Sequence, residues 1–177
     1  MRRHRGGQPE VDPITDHLQE TLAVAYRYLN RRERTEAEMR VHLGRAGATL
    51  DDVERAVAAL IDQGYLDDGR LVRLLVQDKR EFEEWGNDRI RRALVARGVD
   101  PDLIEDALTE HHGGRAGGEM ERALSLLRRR FPSPAGGRRE RERALGVLLR
   151  KGYDTDVALE AIAAHTHDAG AESVPVE

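Results

Sequence analysis

Arginines are the residues of this chain whose number and spacing point to chemistry. From Arg115 to Lys151 there are 10 arginines and 1 lysine against 4 glutamates, a local balance of +7 in a chain of formal net charge −4. Arg128, Arg129 and Arg130 are consecutive. Arg138, Arg139, Arg141 and Arg143 follow, and Arg150 with Lys151 closes the block. Planar guanidinium groups grip carboxylates and phosphates through paired hydrogen bonds, so the block suits an acidic protein surface or a phosphate backbone. Arg89 and Arg92 are two further candidates, because they project opposite Ile90 and Leu94 and are expected to face outward. The competing reading is a solvated face, with i, i+4 pairs from the arginines to Glu140 and Glu142.

Other chemistry is weaker. The chain has no Walker loop, no dinucleotide-binding glycine motif and no His-Glu-x-x-His, and its carboxylates fall at helix caps and surfaces. His111-His112 and His165-x-His167 lack a third ligand nearby, so no metal or other cofactor is expected. His42 reads as a half-buried structural histidine. There is no cysteine, which excludes disulfides, thiolate metal sites and cysteine nucleophiles. Tyr26, Tyr28, Tyr65 and Tyr153 sit at core or turn positions. That leaves few rings for stacking on single-stranded bases. The expectation is a binding protein and not an enzyme.

The elements that must position the arginines are helices, and they repeat. Gly47, Gly98 and Gly152 align without a gap. Four residues before each stands a leucine (Leu43, Leu94, Leu148), and four after each an aspartate (Asp51, Asp102, Asp156). Nine after comes alanine (Ala56, Ala107, Ala161) and ten after an aliphatic (Val57, Leu108, Ile162). The glycines lie 51 and 54 residues apart. The stretch Trp85 to Leu108 shows the unit best. Ile90, Ala93, Leu94 and Arg97 share one helical face. Gly98 ends that helix in a left-handed turn, and Asp100 caps the next, with Pro101 at its first position. Such a unit is too small to bury its own apolar faces, so neighbours must stack.

The fold expected is all-α and elongated, three tandem three-helix repeats. Residues 1–14 form a disordered arm, 15–66 the first repeat, 67–112 the second, 113–118 a glycine linker, 119–166 the third and 167–177 a disordered tail. Thr35 and Glu38 make a capping box. Inward positions include Val53, Val57, Leu60 and Ile61; Leu71, Leu74, Leu75 and Phe82; Leu103, Ile104, Ala107 and Leu108. A hydrophobic fraction of 39% with only 4% aromatics fits a thin core. No apolar run approaches a membrane span, and no apolar segment follows Arg2, Arg3 and Arg5. The expected protein is cytoplasmic, off the membrane and monomeric.

The segments Arg-Thr-Glu-Ala-Glu-Met-Arg (34–40), Gly-Tyr-Leu-Asp-Asp (64–68) and Gly-Asn-Asp-Arg-Ile-Arg-Arg-Ala-Leu-Val-Ala-Arg-Gly-Val-Asp (86–100) resemble the bacterial RecX regulators. The resemblance spans about Ala23 to Ala164 and is densest in the first two repeats. It implies three tandem three-helix repeats that bind the RecA filament, restrain its recombinase and ATPase activity, and act in DNA repair, recombination and the SOS response. The arginine block, with few aromatics beside it, fits a protein that touches the filament protein chiefly and DNA phosphates secondarily. The chain departs from the family in lacking an aromatic–alanine pair after the 64–68 joint, and in extra residues at 131–137. The alternative reading is a helix-turn-helix-like module that binds DNA directly. Its recognition helices would be 50–62, 102–110 and 155–164, whose carboxylates disfavour insertion beside phosphates.

Overall fold

The computed structural model describes residues 13–110, 118–133 and 137–171. Among these it contains helices and no strand: α1 (Pro13–Leu29), α2 (Glu36–Arg45), α3 (Leu50–Asp62), α4 (Asp68–Glu81), α5 (Asn87–Val95), α6 (Pro101–Glu110), α7 (Glu119–Arg130), α8 (Arg138–Lys151) and α9 (Thr155–Ala171). The chain divides into two compact units, Met1–Asp68 and Gly69–Glu177.

One turn is built three times. Gly47, Gly98 and Gly152 have φ of +92°, +74° and +86°, where a Cβ would crowd the following carbonyl. In each turn the residue after the glycine donates to the carbonyl of the leucine four before it: Ala48 to Leu43 (3.2 Å), Val99 to Leu94 (3.3 Å) and Tyr153 to Leu148 (3.1 Å). Those leucines are fully buried. Two residues past each glycine stands the cap of the next helix. The Thr49 hydroxyl accepts from the Asp52 amide, Asp100 Oδ1 from the Asp102 amide at 2.8 Å, and Asp154 Oδ1 from the Asp156 amide at 2.8 Å.

Three cores follow, each from three consecutive helices. Leu22, Ala25, Met39, Leu43, Val53, Ala56, Val57, Leu60 and Leu66 pack together in the first unit. In the second unit, Val72, Val76, Ile90, Leu94, Val99, Ile104, Ala107 and Leu108 form one cluster. Ala123, Leu126, Leu127, Ala144, Leu148, Tyr153, Ala158, Ala161 and Ile162 form another. The all-α repeat read from the sequence is the fold observed.

Several inward assignments are corrected. Ile61, Leu74, Phe82 and Leu103 are exposed. Helix α4 carries apolar residues on two faces, and the stripe that meets α5 and α6 is Val72, Val76 and Arg80; Leu74 lies on the other side. Helix α4 stops at Glu81. Glu84 takes a left-handed φ of +56°, and the Trp85 amide reaches back to the Lys79 carbonyl at 3.0 Å, closing the helix end. Asp68 opens α4, and its carboxylate accepts from the Glu36 amide at the start of α2, 3.0 Å away.

The terminal arm assigned to 1–14 and the linker assigned to 113–118 lie mostly outside the described residues. Pro13 and Ile14 belong to α1, and Gly118 is the residue that precedes α7. Helix α9 runs to Ala171, past residue 166, because no proline or glycine interrupts it before Gly170. The remainder of the tail, 172–177, is outside the described residues.

Candidate partner interface

The arginine block falls on two helix ends with opposite electrostatics. Arg128, Arg129 and Arg130 occupy the last turn of α7, where the carbonyl-rich end of a helix favours cations. Arg138, Arg139 and Arg141 occupy the first turn of α8, where unsatisfied amides disfavour them by roughly 0.3–1 kcal/mol each. Glu140 offsets part of this, since its Oε2 accepts from the Gly137 amide at 3.3 Å. Arg138 pairs with Glu142 at 2.9 Å, both of them exposed. The solvated-face reading is therefore right for one pair, and it leaves Arg139 and Arg143 exposed on the same row of α8. Arg92, Arg128, Arg130, Arg141 and Arg150 are exposed as well.

Three of the candidates are structural ties. Arg89 was expected to face outward. Instead it is half-buried, with its guanidinium over the Trp85 ring at 4.1 Å and a hydrogen bond to the Arg150 carbonyl at 3.1 Å. Arg129 pairs with Glu84. Lys151 Nζ donates to the Glu83 carbonyl at 2.6 Å and lies 3.8 Å from Glu84. Backbone contacts complete the join, Gly86 donating to the Lys151 carbonyl (2.9 Å) and Asp88 to that of Gly152 (3.1 Å). These contacts clamp the α4–α5 loop to the ends of α7 and α8. Apart from the Trp85–Arg89 contact they link residues 45 or more positions apart, so no helical-face argument could find them.

A buried polar network behind this join went unnoticed in the sequence. Arg80 is 5% exposed, and its Nη2 donates to Asn87 Oδ1 and to the Leu108 carbonyl, both at 2.9 Å. Glu119 accepts from the Asn87 backbone and side-chain amides at 2.8 Å each, and Arg122 donates to Asn87 Oδ1 at 3.1 Å. Burial, and then the like charge of Arg122, lowers the Arg80 pKa to about 10. Burial raises that of Tyr153 to about 12. The signal was available: Arg80 continues the i, i+4, i+8 stripe of Val72 and Val76.

The histidines have structural surroundings. His165 is buried with Nε2 2.9 Å from the Phe131 carbonyl, at the end of α7. His42 is half-buried and stacks on Tyr28 at 3.7 Å. His167 is exposed, and His111 and His112 lie outside the described residues. Asp51, Asp102 and Asp156 are exposed on the first turns of α3, α6 and α9. Those helices therefore present carboxylates, while α7 and α8 present guanidinium groups. Among the described residues no helix is long and apolar enough to cross a membrane.

Comparison with known proteins gives one consistent family. The RecX first three-helix domain model matches residues 22–60 and the RecX second three-helix domain model matches 67–108. Regulatory protein RecX of Trichlorobacter lovleyi is 35% identical over 136 residues, 75% of this chain and 87% of that one. Regulatory protein RecX of Leptothrix cholodnii is 33% identical over 81% of this chain and 89% of its own length. The crystal structure of RecX from Lactobacillus salivarius has the same fold, with a TM-score of 0.72 at 22% identity over 85% of this chain and 97% of that one. A second crystal structure, of a regulatory protein RecX, gives 0.69 at 25% identity over 86% and 75%.

Proposed function

This chain belongs to the RecX family of regulatory proteins, and from that we propose that it is a non-enzymatic cytoplasmic regulator of RecA in DNA repair and recombination. It binds the RecA nucleoprotein filament as a monomer and inhibits its ATPase and strand exchange. A ligand that touches neighbouring protomers at once holds them in one arrangement and slows a cycle that needs them to move. Several modest contacts on one chain add through effective concentration.

The observation that carries the reading is the arginine-rich first turn of α8. One of its arginines, Arg138, is tied to Glu142, but the charge of the turn as a whole runs against the helix dipole, which favours carboxylates at that end. The acceptors these arginines suit are carboxylates of the filament protein and, secondarily, phosphates of its DNA. The exposed aspartates at the starts of α3, α6 and α9 count against the helix-turn-helix alternative, since those helices would enter the groove beside phosphates.

The test is RecA's single-stranded-DNA-dependent ATPase, titrated with this protein at two salt concentrations. A variant with arginines 128–130, 138, 139, 141 and 143 changed to alanine is titrated in parallel. Inhibition at substoichiometric protein, weakened by salt and by the changes, is the expected result. Inhibition that ignores the changes moves the contact surface to the first two repeats. No inhibition, with tight binding to naked duplex, overturns the regulator reading in favour of the DNA-binding module.

A further inference from the structure

The repeat register exposes a change confined to the third repeat. Seven residues before the turn glycine stand Arg40, Arg91 and Leu145, and seven after it stand Glu54, Glu105 and Leu159. In the first repeat Arg40 Nε lies 3.1 Å from both carboxylate oxygens of Glu54. In the second, Arg91 grips Glu105 through Nε at 2.6 Å and Nη2 at 3.0 Å. The same bridge between the second and third helices is thus built twice. At the corresponding place between α8 and α9 stand two leucines. Leu145 is half-buried and Leu159 is 51% exposed.

The charge beside that place also changes sign. Eleven residues before the glycine stand Glu36, Asn87 and Arg141. Glu36 pairs with Arg40 at 3.1 Å, and Arg141 lines one groove with Leu145 and Leu159. Helix α8 also begins earlier in the register than α2 and α5, which adds Arg138 to the same edge. Leu145, Leu159, Ile162 and Ala163 make the apolar lining of this groove of about 770 Å³, whose polar border is Arg138, Arg141, Thr166 and Glu142, the last paired with Arg138. That volume is in the range of about 300–1,000 Å³ typical of sites that enclose a drug-sized ligand, which is room for several apolar side chains.

We infer that the α8–α9 groove is a docking site for an acidic amphipathic helix of a partner protein, which seats leucine-sized side chains between Leu145 and Leu159 and sets its carboxylates against Arg138 and Arg141. Exposed leucine gains nothing in a position where an ion pair serves the fold in two sister units. Apolar surface in a concave site is stabilised when a ligand removes it from water. Two arginines against the one carboxylate of Glu142 leave the groove's border net positive, and guanidinium donors suit carboxylates. The site deepens the regulator reading by naming the chemistry of the contact, yet it is measurable without RecA.

The probe is a fluorescein-labelled helical peptide with leucines at i, i+4 and i+7 and glutamates elsewhere, followed by anisotropy with the full-length chain. One variant is Leu145→Arg with Leu159→Glu, which writes in the bridge of the other two repeats. A second is Arg138→Glu with Arg141→Glu, at exposed positions. Circular dichroism checks that each variant keeps its helices. The expected result is saturable binding by the unaltered protein and a loss of about tenfold or more in each variant. No saturable binding by the unaltered protein overturns the site, as does equal binding by the folded variants. The RecA titration separates the two readings. An unaltered protein that binds the peptide but leaves RecA active keeps the groove and overturns the regulator reading. Inhibition of RecA by an unaltered protein that does not bind the peptide does the reverse.

Discussion

Gly152 and Gly47 occupy the same place in two copies of one turn, yet they are under different constraints. Both have a left-handed φ, which costs a side chain roughly 1–2 kcal/mol. A Cβ on Gly47 would meet nothing within 4 Å. A Cβ on Gly152 would lie 2.3 Å from the Arg89 Cβ and 2.7 Å from its backbone nitrogen. Gly47→Ala should therefore cost about 1–2 kcal/mol in urea denaturation, and Gly152→Ala distinctly more, because α5 must also move. Equal losses would show that the clamp at Trp85–Arg89 carries no strain. His42 supplies a pH effect. Burial, then the charges of Arg34, Arg31 and Arg45, lower its pKa from 6.5. Above 6.5 both folded and unfolded forms are neutral there. As the pH falls below 6.5 the unfolded chain takes the proton first, so stability drops until the folded pKa is passed. A pH series of melts from 7.5 to 5.5 should show this slope, and His42→Gln should flatten it. Arg89 shows the limit of reading at this scale: its helical face is legible, but the Trp85 ring and the Arg150 carbonyl that capture it are not.

Helix ends were the most legible elements. Thr35 and Glu38 form the capping box read from their spacing, the threonine hydroxyl accepting from the Glu38 amide at 3.0 Å and the carboxylate from the Thr35 amide at 3.2 Å. Thr35 is fully buried, so Thr35→Ala should destabilise the first unit by about 1 kcal/mol, at the α2 start. A melt that does not shift would mean that the Asp68 carboxylate, bonded to the Glu36 amide, holds that end by itself. Helix faces were less legible. In α4 the apolar residues fill more than one face, and helical periodicity ranks Leu74 with Leu75. Only the position of α5 and α6 decides that Val72, Val76 and Arg80 go inward. Helix α8 departs from its sister helices in length and in charge, and both departures fall on the edge where the groove lies.

Across the whole molecule, charge is uneven. A formal net charge of −4 hides the basic block. That distribution sets the size of the salt effect in the RecA titration. If six or more phosphates were touched, affinity would fall by about 10³ or more between 50 and 200 mM salt. Contacts made chiefly to carboxylates should give a much shallower loss, about tenfold or less, which is the result expected here. The sequence by itself decided the helices, their caps and the three left-handed glycine turns, because each depends on residues within about five positions of one another, and the repeat register followed from the recurrence of that local pattern. Family membership was legible for the same reason, since its motifs lie in those turns and first helices. Tertiary structure alone decided which arginines are ties and which are surface. Arg129 meets Glu84 and Lys151 meets Glu83 across long stretches of chain. It alone placed Leu145 beside Leu159, on two helices whose facing sides are chosen by the core beneath them.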